Sequence, residues 1–162
     1  KTVDEAHKYA KIIANYGETF ANHAFDKGWS QEVQKRMFDA GIKSFRTNKI
    51  KNYRHNLQFA TGKLAKGYDA HHTLPKAEEF REFFEQANIS GDDVYSVKNL
   101  VWRKSEKHSS TAAGQALSKE HTKLWRQFKT DNPFASKEEI LKQRDIIEKK
   151  VWGNTNGDTP GQ

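Results

Sequence analysis

Seven histidines occur in the 162 residues, and four of them are placed to do chemistry together: the adjacent pair in Asp69-Ala70-His71-His72, then His108 and His121. A neutral imidazole ligates divalent first-row metals, and an unmetallated one accepts a proton near neutral pH. Hydrolysis of a phosphodiester asks for both, one histidine to hold an ion and another to take a proton from water. Neighbouring histidines can divide those jobs. On a regular strand, however, residues 71 and 72 point to opposite faces, so both reach one phosphate only where the strand ends or bends. Leu74-Pro75 predicts such an end. A mononuclear site draws further ligands from elsewhere, and His108 and His121 are the candidates. The plain alternatives are two surface residues for the doublet, a structural role for His121 and a turn role for Asn99. His7, His23 and His55 lie among helical patterns and read as solvated or satisfied side chains.

The elements that must position these residues follow from the apolar pattern. Val3, Ala6, Tyr9, Ala10, Ile13 and Tyr16 predict a helix over 4–16, Ser30 caps a second that stops at Gly41, and Phe45 to Phe59 form a third. Residues 1–60 therefore read as a helical region. Gly62, Gly67 and Pro75 break that character, and Tyr68 to Thr73 reads as a short strand. A helix from Pro75 buries Phe80, Phe83, Phe84 and Ala87 and ends near Asn88, and residues 90–93 read as a turn. Asn99 to Trp102 is the second strand, followed by a helix from Ser118 to Phe128. Ser136 and Glu139 make a capping box for a last helix through Ile140, Leu141, Ile147 and Val151, before a flexible tail over 153–162. The fold class is α+β, mostly helical, with a second domain over 61–152.

The run Asp69-Ala70-His71-His72-Thr73-Leu74-Pro75, then Phe83-Phe84, Asn99-Leu100-Val101-Trp102, Lys107-His108-Ser109, and His121 with Trp125 and Phe128, resembles the AHH branch of HNH nucleases. These belong to the ββα-metal, or His-Me finger, superfamily that includes the nuclease colicins. Many AHH members are tips of bacterial polymorphic toxins, among them contact-dependent inhibition proteins. The resemblance covers about residues 62–130. It implies a finger of two short antiparallel strands and a helix, with His72 as general base, His71 and His108 as metal ligands, and Asn99 bracing the loop between the strands. The family commonly sets a second helix histidine one turn after the first, where this chain has Ala112. His121 is then the ligand displaced by an insertion, or water fills the shell. Asp69 stands where colicin-type members carry an acidic residue and would orient a ligand or an arginine. One divalent ion, Zn, Mg, Mn or Ni, is the cofactor implied.

Composition bounds the remaining choices. Lys and Arg number 28 against 21 Asp and Glu, and the excess lies before residue 131, which makes an anionic partner plausible without naming it. With no cysteine there is no disulfide, thiolate metal site or thiol nucleophile. No run is long and apolar enough for a membrane span, and the first twenty residues lack the apolar core of a signal peptide. The reading is a metal-dependent endonuclease toxin domain with little sequence preference. Arg103, Lys104 and Lys107 would bind flanking phosphates of nucleic acid, DNA before RNA. A larger secreted carrier would deliver it to the cytoplasm of a competing cell, and an acidic immunity protein would neutralise it beforehand. The alternatives are an RNase of the same fold and a non-catalytic module in which histidine-bound metal is structural.

Overall fold

The computed structural model describes residues 28–39 and 53–161. The first predicted helix and most of the third lie outside the described residues. The chain forms two compact units, one ending at Leu64 and the other spanning Ala65–Gly161, so the boundary falls a few residues later than the sequence suggests.

In the first unit, α1 (Gln31–Asp39) begins at Ser30, whose Oγ accepts the Val33 N–H at 3.3 Å. That is the cap expected there. α2 (Tyr53–Thr61) ends at Gly62, which has φ +71°, a left-handed conformation costly for any residue with a Cβ. The Trp29 indole occupies the space that a Cβ at Gly62 would need.

The second unit is an α+β fold, mostly helical, built on one antiparallel hairpin-like pair. β1 (Tyr68–His72) pairs with β2 (Leu100–Lys104), placing Asp69 opposite Arg103 and His71 opposite Val101. Alternation puts Asp69, His71, Val101 and Arg103 on one face, and His72, Leu100 and Trp102 on the other. Thr73 N–H continues the ladder to Asn99 O at 2.9 Å, and Ser105 N–H closes the other end on Gly67 O at 2.9 Å.

Between the strands, Phe80, Phe83 and Phe84 are buried as their spacing predicts, but helix does not start at Pro75. Ala77 is extended (ψ 141°), a 3-10 turn covers Glu78–Phe80, and α3 occupies only Arg81–Gln86. Asn88 then takes φ +62°, which its short polar side chain tolerates. The predicted turn at Ser90 is in fact a capping box, Ser90 with Asp93, that starts α4 (Gly91–Tyr95). Asn99 belongs to a 3-10 turn (Val97–Asn99), so β2 begins one residue later than expected.

α5 (Ala112–Asp131) starts well before Ser118 and is capped by Thr111, whose Oγ1 accepts the Gly114 N–H at 2.9 Å. Gly114, read from sequence as a poor helix residue, is what permits this. A Cβ there would lie 2.6 Å from His108 N and 2.7 Å from Glu106 O, so only glycine lets the turn after β2 rest on the helix.

α6 (Lys137–Trp152) begins at the expected Ser136–Glu139 capping box and stops at Gly153 (φ +84°). The core packs Leu74, the three phenylalanines, Ile89 and Val94 against Trp125, Ile140 and Ile147. Phe84 meets Trp125 edge-on at 5.7 Å, a favourable aromatic geometry.

The tail read from the sequence as flexible is fastened at Asp158. Asp158 N–H donates to Trp102 O at 2.7 Å while its Oδ2 accepts the Lys104 N–H at 2.7 Å, so the segment after α6 satisfies the outer edge of β2. Among the described residues no helix is long and apolar enough to cross a membrane.

Candidate metal centre

The strand face carrying His71 is covered by the buried stripe of α5, where His121 lies one turn before Trp125, and by α6. Three donors converge there: His71 on β1, His121 on α5 and Glu148 on α6, with one ligand atom from each lying within 4.8 Å of the others. His71 Nε2 is 3.0 Å from the Glu148 carboxylate, and His121 Nε2 is 3.1 Å from its Oε2. His121 Nε2 also lies 3.3 Å from Thr73 O. All three side chains are buried, Glu148 at 1% exposure.

Burial, the dominant influence, pushes the His71 imidazole down to about 4, against the pull of Glu148. For Glu148 burial pulls upward, yet hydrogen bonds from His121 and His71 hold its carboxyl down to about 2. A neutral imidazole beside an ionised carboxylate is the protonation state that metal ligation requires. Two imidazoles and a carboxylate suit a first-row divalent ion such as zinc, and three protein donors leave a coordination position open.

His108, expected as a ligand, stands one step behind the three converging donors. Its Nε2 is 3.1 Å from His71 Nδ1 and its Nδ1 is 2.8 Å from Asp69 Oδ2, so both ring nitrogens are engaged. With an ion on His71 Nε2, the His71 Nδ1–H donates to His108, whose Nδ1–H donates to Asp69, an outer relay that fixes ring orientation. Asp69 is the base of that relay. Burial would raise its carboxyl, but bonds from Ser109, Ser105 and His108 hold it below the ordinary range. Ser118 Oγ donates to His108 O at 2.6 Å and so positions the same turn.

His72 faces the other side of the sheet, its ring edge-on to Tyr95 at 5.2 Å. Burial first and Lys76 second push it down to about 3, which keeps it neutral. Asn99 braces the strand exit: Oδ1 accepts from Thr73 Oγ1 at 2.6 Å and Leu74 N at 2.8 Å, and Nδ2 donates to Leu74 O and Val94 O.

Arg103 does not fit the role of a phosphate ligand. It has no exposed surface, and its guanidinium is bonded to Glu148 and Asn154. Lys104 and Lys107 are exposed.

Glu148 and Trp152 escaped the sequence reading. The Trp152 ring lies 4.6 Å from that of His71 and 5.5 Å from that of His121, roofing the site. A signal existed for Glu148: it follows Ile140 by eight residues and Leu141 by seven, a carboxylate on the apolar stripe of an amphipathic helix. Buried carboxylates are seldom unpaired.

No family model matches the chain, and no curated protein or solved structure matches it either.

Proposed function

We propose that Ala65–Gly161 is a metal-dependent endonuclease domain that hydrolyses phosphodiester bonds of DNA with little sequence preference. The observation that carries the reading is the convergence of His71, His121 and Glu148 from three separate elements, with a histidine–aspartate relay behind one of them. A bound divalent ion there would offset charge developing on the scissile phosphate and leaving oxygen. His71, His121 and Glu148 hold it, and His108 with Asp69 sets the His71 tautomer. Arg103 offsets the charge of Glu148, leaving a donor set that is close to neutral and therefore receptive to an anionic substrate. His72, last residue of β1 and on the face away from the donor set, accepts the proton of the attacking water only where the phosphate lies across the strand exit that Asn99 holds. Lys104 and Lys107 take flanking phosphates, so binding weakens with salt. In this reading the domain is the cargo of a larger secreted toxin, and an acidic immunity protein covers the Lys104–Lys107 edge before delivery. Incubating the chain with plasmid and with RNA, with added metal or with chelator, is the test: metal-dependent cutting of DNA is expected, cutting of RNA alone shifts the substrate, and intact nucleic acid in every lane removes the enzyme.

The burial of all three donors favours a second reading, a metal centre that only holds the fold. Metal uptake together with intact nucleic acid would select it.

A further inference from the structure

We infer that Arg103 and Asn154 are positioning residues for Glu148, making the segment after α6 a working part of the metal centre; the inference rests on the metal-binding half of the function proposed above. In the strand register Arg103 lies directly opposite Asp69, the nearest carboxylate by position. Its guanidinium turns instead to α6. Nη2 donates to Glu148 Oε1 at 3.1 Å and to Asn154 O at 2.9 Å, Nη1 donates to Asn154 Oδ1 at 2.7 Å, and the Trp152 ring lies 5.0 Å beneath. A planar fork held at three points has little freedom, so it dictates the orientation of the carboxylate it grips. With Oε1 toward Arg103, Oε2 is turned to His121 at 3.1 Å, and His71 Nε2 lies 3.0 Å from both carboxylate oxygens.

Asn154 is held in turn. Its Oδ1 also accepts the Gly157 N–H at 2.8 Å, and Asp158 fastens the next residue to the β2 edge. Gly157 makes that approach possible, since a Cβ would lie 2.6 Å from Trp102 O. The result is a chain of orientation from the β2 edge through Asn154 and Arg103 to Glu148. Stability alone is a poor reason for it. A fully buried ion pair contributes little over apolar packing of the same volume, whereas its directionality is specific.

The test uses the full chain, stripped by chelator and titrated with Co2+, reading affinity by competition and coordination by the visible absorption band. Asn154→Ala is expected to weaken Co2+ binding by about 10- to 100-fold and to alter the band, as loss of an outer partner does. Asn154→Asp keeps an acceptor for both Arg103 and Gly157 and is expected to restore both readouts. Unchanged affinity and band in Asn154→Ala, even with a lowered melting temperature, would reduce the segment to a strap and overturn the inference. Should that variant not fold, Arg103→Lys, which keeps the charge and loses the fork, carries the same expectation and the same refutation. An unsubstituted chain that takes up no Co2+ overturns the inference together with the metal reading. One that binds Co2+ but leaves nucleic acid intact removes only the nuclease, and the positioning claim is then decided by Asn154→Ala.

Discussion

His71, fourth residue of a five-residue strand, and Glu148, on the last helix, meet at 3.0 Å across 77 positions of chain. Burial keeps the imidazole neutral against the pull of Glu148, while bonds from His121 and His71 keep the carboxylate charged.

Glu148 is expected to behave as a ligand. Glu148→Gln keeps the volume and removes the charge, so metal affinity should fall by more than the roughly 100-fold that bounds an outer partner. Glu148→Ala leaves the Arg103 cation buried and uncompensated and should cost about 3 to 5 kcal/mol of stability. Metal competition and urea denaturation read the two effects separately.

His108 and Asp69 should behave as the relay. His108→Ala and Asp69→Asn are each expected to lower metal affinity by about 10- to 100-fold without abolishing it. Because they act in series, the double substitution should cost little more than the worse single one. Calorimetric titration of the three variants checks this, and complete loss in His108→Ala would return it to the ligand set.

His72 faces away from the donor set, and on the proposed function it takes a proton only across the strand exit and holds no metal. His72→Ala should lower cleavage by about 10^2- to 10^4-fold while Co2+ affinity stays unchanged. A parallel loss of metal binding would place its ring in the coordination sphere.

Gly114→Ala tests the turn that presents His108. The added methyl meets His108 N and Glu106 O, backbone that cannot rotate away, so a loss of about 1 to 3 kcal/mol is expected. The amide resonances of residues 105–109 should shift more than those of the Phe84–Trp125 core.

Local patterns were legible wherever chemistry acts over a few residues. The Ser30 cap, the Ser136–Glu139 capping box, the phenylalanine stripe and the two strands around His71 and Val101 all lie where their residues predict, because caps, periodicity and alternation are near-neighbour effects. The helix start at Ala112 was not legible, since Gly114 disfavours helix locally and is repaid only by a turn that folds back upon it.

What the sequence determined by itself is the strand pair, the phenylalanine stripe, the start of the last helix and the histidines as candidate donors. Only the tertiary structure decided which of them meet. It put His121 and Glu148 beside His71, moved His108 behind it, buried Arg103 and turned the tail into an edge for β2. The reason is that ligation and ion pairing depend on distances of about 3 Å between residues tens of positions apart. Helix packing sets those distances, and spacing along the chain does not encode them.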